Sequence, residues 1–308
     1  GLVMVPLNPL LKAAEVAYHL ADSDTRVLVT FELFAEEAFR GAQEAGGIPT
    51  YVVSLPGHEE HAEGTRHFDE LYFAEDTRDL HPTMADDTAV LLYTSGTTGQ
   101  PKGAELTHFQ LFMNCTTAGG IFGFEPDDVG VAVLPLLHVF GLSSVLNTAI
   151  RYGGTIVLIP RFETDLVIDA IEKRRCAIFS GVPTMYFALL QADTSGRDLS
   201  ALRVGISGGA AIPGEVIKAF EAKFPGCVIL EGYGLSESAS TPATSRTPTA
   251  TATCSSSTGR RTWSSAAATT CTRARWRRCS THIRRSPRPR SSASRTTSSA
   301  RRCSRSSP

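Results

Sequence analysis

The sequence predicts an α/β protein, and three observations carry that expectation. Helical and extended patterns alternate through the first 240 residues, the extended segments are apolar enough for buried strands, and several of them run straight into loops rich in Gly, Ser, Thr or Pro. Strands that alternate with helices need crossover connections, so a doubly wound parallel sheet with helices on both faces is expected.

The elements follow in order. Residues 10–20 put Leu10, Leu11, Ala14, Ala17 and Tyr18 on one helical face, and residues 26–30 read as a strand through Val27, Leu28 and Val29. Residues 31–45 return to helix and 51–54 to strand. Residues 56–87, with Gly57, His58, His61, Pro82 and many acidic groups, read as a polar surface connection. His58 and His61 flank Glu59 and Glu60, where a solvated loop outweighs a metal site. Residues 89–93 form a buried strand, and residues 107–122 a helix with Thr107 as N-cap. Strands follow at 129–134, 155–159, 177–180, 202–206 and 228–231. Between them lie helices at 141–150 and 162–174, one opened by Pro183 that runs to Leu190, and one opened by Pro213.

A chain of 308 residues allows a large core and one or two domains. No apolar run reaches membrane-spanning length and no charged-then-apolar leader opens the sequence. The chain opens on Gly1 with its first methionine at Met4, so an internal piece of a longer protein is expected. The seven cysteines have no CxxC pair and no metal-ligand spacing, which points to reduced thiols and a cytoplasmic protein. The net charge of −1 hides an asymmetry: half of the 30 basic residues are arginines after Ser240, so the first part is acidic and the last strongly basic.

The most informative stretch is LLYTSGTTGQPKG, residues 91–103. A strand gives way to Thr94, Ser95, Gly96, Thr97, Thr98 and Gly99, and then to Gln100, Pro101, Lys102 and Gly103. Glycines let the backbone approach a ligand and aim successive N–H groups at it, while the hydroxyls add neutral donors and Lys102 a positive charge. Together they suit a polyphosphate. The pattern differs from GxxxxGK[ST], because this lysine follows a proline and precedes a glycine.

Four further segments sit where strands end: PLLHVFG (135–141), GVPTMY (181–186), SGGAAIP (207–213) and EGYGLSESA (231–239). Open α/β sheets place ligands at such ends. Taken singly, His138 is more often a structural hydrogen bonder, GVPTMY a plain strand-to-helix turn, and SGGAAIP as often a packing turn as a ligand site. A glutamate such as Glu237 after a turn is usually solvated.

Together these strings, in this order, resemble the adenylate-forming enzymes, a superfamily of acyl-CoA synthetases, luciferases and peptide-synthetase adenylation domains. The resemblance covers residues 1–240 and is strongest to bacterial long-chain fatty-acid–CoA ligases. It implies a partial AMP-binding domain that lacks the family's opening sequence. It makes Thr94, Lys102 and Glu237 catalytic. Nucleotide contacts fall to Ser95, Gly96, Thr97, Thr98, Gly99, Gly209, Ala210, Ala211, Glu231, Gly232, Tyr233, Gly234 and Ser236. In the family Tyr233 would cover the adenine face, Ser236 would touch the α-phosphate and Glu237 would hold Mg2+. His138, Gly181, Val182 and Pro183 would line the acyl site.

The implied reaction activates a carboxylic acid, a fatty acid by this resemblance, with ATP to acyl-AMP and transfers it to coenzyme A. An aryl-acid–CoA ligase, an acyl-AMP ligase and a non-catalytic nucleotide-binding relic are the alternatives. Small molecules are the expected partners, with no nucleic acid; the oligomeric state is not read from sequence.

Beyond Ser240 the composition changes to Ser, Thr, Ala, Arg, Pro and Cys, with Ile283 as the only large aliphatic. Such a segment cannot bury a core, and a disordered tail is expected over 241–308. It resembles a GC-rich gene read out of frame. Codons can be chosen for residues 256–265 so that a one-nucleotide shift gives VVDRKKDMVI, and for 272–279 so that it gives YPREVEEV. Both strings resemble the family's hinge and small carboxy-terminal domain, in order. The family's ribose-binding aspartate and its catalytic lysine have no counterpart here, so impaired activity is expected of this chain.

Overall fold

The computed structural model describes residues 1–58, 63–73, 81–94, 100–236, 251–256 and 259–264, the last two stretches as backbone only. The chain divides into two units, Gly1–Thr272 and Arg273–Pro308, and every described residue lies in the first.

The amino-terminal layer follows the expected alternation. Helix α1 (Ala13–Asp22) buries Ala13, Val16, His19 and Leu20. Strand β1 (Leu28–Phe31), helix α2 (Ala35–Glu44) and strand β2 (Thr50–Val53) follow, with β1 and β2 parallel. A two-residue strand β3 (Arg66–His67) joins the far side of β2, also in parallel, and a 3-10 turn covers Phe68–Phe73. The polar connection expected over 56–87 therefore contains regular structure. Its pattern is too short for periodicity to register.

Strand β4 (Thr88–Thr94) pairs antiparallel with β5 (Lys102–Thr107), in register Thr94↔Lys102 and Tyr93↔Gly103. Met4 adds a parallel bridge to β4 at Val90. This hairpin adds an antiparallel pair beside the expected parallel sheet, and it places Lys102 in a strand rather than at the end of a loop. The segment KGAELT offers little intrinsic strand preference, and pairing with the buried β4 decides its conformation. Helix α3 (His108–Phe122) starts at Thr107, whose hydroxyl accepts from Gln110 N at 3.2 Å, while the Gln110 side chain accepts from Thr107 N at 2.8 Å. This is the expected N-cap, closed into a reciprocal box.

The central layer is a five-stranded parallel sheet. It is built from β6 (Val129–Ala132), β7 (Thr155–Leu158), β8 (Ile178–Gly181), β9 (Val204–Ser207) and β10 (Val228–Glu231), in the order β10-β9-β8-β6-β7. A π-helix (Phe140–Asn147) running into α4 (Thr148–Tyr152) connects β6 to β7. The later crossovers are α5 (Thr164–Lys173), α6 (Pro183–Gln191) and α7 (Gly214–Lys223). Val167, Ile171, Tyr186, Leu189, Ile217 and Phe220 from these three pack on one face of the sheet. Ala149 and Val145, from the connection on the other side of β6, pack with Phe124, Ile178 and Ile206 or with Ala132 and Leu134. Helices on both faces make the sheet doubly wound, and strands buried on both sides read as the continuous apolar runs seen in the sequence.

Tyr186 lies at the centre of the larger cluster. It is fully buried, its hydroxyl donates to Phe179 O at 3.1 Å, and its ring meets Phe179 and Phe220 edge-on at centroid distances of 5.2 and 5.1 Å. Cys115, Cys176 and Cys227 are free and buried. Burial pushes the thiols of Cys176 and Cys227 up to about 11 and about 12, so both stay neutral and inert at physiological pH.

Part of the tail lies among the described residues. Strands β11 (Thr251–Ser256) and β12 (Gly259–Ser264) form an antiparallel hairpin, in register Thr251↔Ser264 and Ser256↔Gly259. Residues 241–250 and 265–308 lie outside the described residues.

Candidate functional site

Strands that all run parallel end at one edge, so the motifs that follow β6, β8, β9 and β10 meet there. β6 leads through Leu134 and Pro135 to His138, and β8 ends at Gly181 before Val182 and Pro183. β9 leads to Gly208, Gly209, Ala210 and Ala211, and β10 leads to Gly232, Tyr233, Gly234 and Ser236. Gly181 is in register with Ser207, and Ser207 with Glu231. Two backbone bonds extend that alignment past the strands: Gly208 N donates to Gly181 O at 3.1 Å and Gly232 N to Ser207 O at 2.8 Å. The strand order reverses between β6 and β8, which is where open α/β sheets take ligands. His138 and the 181–183 turn lie on either side of that point.

The four exits touch one another. A Cβ on Gly208 would stand 2.8 Å from the Phe140 ring and 3.2 Å from Gly232 O. One on Gly209, where φ is +82°, would stand 3.4 Å from Val182 Cγ1. Only glycine fits at 208, and the backbone of this turn stays open on its outer side, where Gly209, Ala210 and Ala211 are exposed. Glu231 Oε1 accepts from Ile212 N at 3.0 Å and thereby pins the end of the turn to β10. That bond gives Glu231 a structural task beside the nucleotide contact expected of it. Tyr233 is 59% exposed, a ring free to lie over a flat ligand. Ser207 Oγ is buried and has no hydrogen-bond partner among the described residues, so the floor of this edge holds a polar group suited to a ligand atom.

His138 is held by its own loop. Its N–H donates to Pro135 O at 3.1 Å, its carbonyl accepts from Leu142 N at 2.9 Å, and its Nδ1 accepts from Phe140 N at 3.2 Å. An accepting Nδ1 assigns the proton of the neutral ring to Nε2, which leaves an N–H donor on the exposed imidazole edge. Gly141 makes the loop possible, because a Cβ there would lie 2.4 Å from Pro135 O.

Thr94 ends β4 and Lys102 opens β5 opposite it. The hairpin packs through Val90, Leu92 and Leu106 on Leu111 of α3 and on Leu142, with Val139 and Leu146 alongside. The segment that carries His138 thus also supports the hairpin that carries Lys102. Ser95, Gly96, Thr97, Thr98, Gly99 and the proposed magnesium ligand Glu237 lie outside the described residues. Among the described residues no three His, Cys, Asp or Glu side chains form a metal-sized cluster. His58 pairs with Glu32, Nδ1 to Oε1 at 3.1 Å, while Glu59, Glu60 and His61 lie outside the described residues.

Sequence reasoning gave Phe140 no part in this edge. Phe140 sits inside PLLHVFG as an apparent spacer. The neighbouring pair of an aromatic and a glycine was the available signal for a close contact.

A family profile described as AMP-binding enzyme matches residues 1–269, and so runs past the composition break at Ser240. Feruloyl-CoA synthase of Amycolatopsis sp is 34% identical over 240 residues, covering 78% of this chain and 45% of its own length. 4-Coumarate–CoA ligase CCL1 of Humulus lupulus is 32% identical over 248 residues, covering 77% and 44%. ATP-bound MatB from Rhodopseudomonas palustris superposes with a TM-score of 0.66 at 25% identity, covering 85% of this chain and 56% of that one. The chain spans less than half the length of the two curated relatives. Among the described residues no helix is long and apolar enough to cross a membrane.

Proposed function

Because the chain belongs to the AMP-binding enzyme family, we propose that it carries the nucleotide half of an acid–thiol ligase. In that reaction a carboxylate oxygen attacks the α-phosphorus of ATP and pyrophosphate leaves. The thiol of coenzyme A then attacks the acyl carbon, AMP leaves, and the thiol proton passes to solvent. The observation that carries this reading is the convergence of four motif-bearing strand exits on one edge of a parallel sheet, close enough that Gly208 touches Phe140 and Gly232.

The residues divide the work by chemistry. Backbone at Gly209, Ala210 and Ala211 is open to a flat purine, and Tyr233 is placed to cover its face. Ser207 Oγ and Ser236 offer hydroxyls along the edge. Lys102, with Thr94 and the loop at 95–99, would meet the phosphates, where neutralising charge matters more than covalent help. Glu237 would hold Mg2+, which supplies further charge neutralisation when bound. His138 presents Nε2–H where the acyl and phosphoryl groups meet, and Gly181, Val182 and Pro183 wall the acyl side.

The acid is the finer part of the proposal. The sequence reading favours a fatty acid; the names of the relatives, feruloyl-CoA synthase and 4-coumarate–CoA ligase, favour an aryl acid equally. Pyrophosphate release and thioester formation are to be followed with purified chain, ATP, Mg2+ and coenzyme A against fatty acids of several lengths and against hydroxycinnamates. Release with one class alone identifies the substrate. Release with neither, while MgATP still binds, leaves the nucleotide-binding relic as the correct reading. A cytoplasmic location fits such soluble co-substrates.

We further propose that residues 241–308 are an out-of-frame reading of the hinge and carboxy-terminal part, and that this impairs turnover. The expected result of resequencing the coding DNA is an insertion or deletion between the codons for Ser240 and Arg260. Restoring the frame should give the VVDRKKDMVI and YPREVEEV strings and a faster enzyme. Codons that cannot produce those strings remove the idea.

A further inference from the structure

We propose that α1 braces the phosphate-handling hairpin, with Tyr18 and Asp22 as positioning residues that hold its two stems at a fixed separation. The inference rests on the reading that this hairpin meets the phosphates of ATP.

Tyr18 and Asp22 are four residues apart and so share one face of α1. Each contacts a different stem. Tyr18 Oη donates to Pro101 O at 2.9 Å, across 83 residues of sequence. Asp22 Oδ2 accepts from Tyr93 Oη at 2.6 Å, across 71. Tyr93 stands next to the last residue of β4, and Pro101 stands next to the first residue of β5, Lys102. The two bonds therefore grip the strand that precedes residues 95–99 and the residue just before β5.

The rest of the contact stiffens the grip. The His19 ring is buried between the phenols, with centroids 4.4 Å from Tyr93 and 5.6 Å from Tyr18, both edge-on. Its Nδ1 lies 2.6 Å from Glu15 O; a carbonyl only accepts, so Nδ1 carries the proton and the ring is held in one orientation. Pro101 has a fixed φ, so a bond to its carbonyl constrains the peptide that leads into Lys102. Burial and the bond to Asp22 keep the Tyr93 phenol protonated, and hence a donor, throughout the physiological range. The core contacts of α1 run instead through Val16 and Leu20, toward Ala42 of α2. The polar face is thus separate from the one that holds the helix in the fold.

A purely structural contact would affect all ligands of the chain alike. A brace on the phosphate hairpin affects polyphosphates selectively, because the adenine-side residues belong to another sheet. The experiment is equilibrium binding of MgATP and of adenosine to the full chain, with Tyr18→Phe, Tyr93→Phe, Asp22→Ala, Asp22→Asn and a Lys102→Ala control. Tyr18→Phe and Tyr93→Phe are expected to weaken MgATP roughly 3- to 10-fold each, the scale of one lost hydrogen bond. Adenosine affinity should stay within about twofold in the same variants, within the scatter of an untouched site. Asp22→Asn keeps an acceptor oxygen and should restore most of what Asp22→Ala loses. Equal losses for both ligands, or no loss where Lys102→Ala shows one, overturns the brace. Unchanged MgATP affinity in Lys102→Ala overturns the phosphate reading itself, and the brace with it. If Tyr93→Phe fails to fold, Tyr18→Phe and the Asp22 pair test the brace through the other contacts.

Discussion

Replacing Lys102 by alanine is expected to slow pyrophosphate release by about 10²–10³-fold, the usual loss when one preorganised group facing transition-state charge is removed. The side chain is half-buried at the start of β5, paired across the hairpin with Thr94. Among the described residues no carboxylate lies in salt-bridge range of its ammonium. The hairpin is fixed on several sides: Met4 bridges β4, α1 grips both stems, and Leu106 is fully buried against α3 and the π-helix. A cation on such a support costs little to reorganise as charge builds on the α-phosphate. Lys102→Arg keeps the charge but changes its reach and shape, so partial recovery is expected. The measurements are single-turnover pyrophosphate release and the thermal midpoint. Release within threefold of the parent chain, with folding intact, would assign the phosphate charge to other residues.

The sequence made most of the central sheet legible, and the reason is local. Residues 228–231 form β10 as expected because a short apolar run with a clear end suffices to mark a strand, even at the sheet edge where only Ile229 is buried. Thr107 and Gln110 were legible as a cap because capping chemistry acts over three residues. The motifs of the candidate site are likewise contiguous strings, and their shared edge follows once the strands are parallel. β5 was missed because its strand character comes from pairing with β4 and not from its own residues. The grip of α1 on Pro101 was missed because periodicity says which face of a helix is buried, not which distant peptide it meets. Phe140 was missed for the same reason. It acquires its role from a contact with another crossover.

The π-helix after His138 offers the second large effect, Gly141→Ala. Alanine favours helix over glycine by up to about 1 kcal/mol, so a helix position open to solvent would gain from this change. Here the added methyl would lie 2.4 Å from Pro135 O, 3.0 Å from Pro135 C and 3.1 Å from Leu134 O. All three are backbone atoms, which cannot swing aside as a side chain can. Overpacking of this kind costs about 1–3 kcal/mol and outweighs the gain in helix preference. The strain also has a definite place to go. The 135–138 turn is tied by His138 N to Pro135 O, and the π-helix is tied to it by Leu142 N to His138 O. Relieving the clash must therefore move His138 relative to Gly208 and Val182, and with it the Nε2–H aimed at the reacting groups. A misplacement of this size near the chemistry is expected to slow release by about 10²-fold, beyond what the stability loss explains. Denaturant unfolding gives the first quantity, and single-turnover release at a temperature where the variant is fully folded gives the second. An equally stable or more stable Gly141→Ala chain would mean that the turn yields freely. In that case the tight seating of His138 is not what fixes the acyl side of the site.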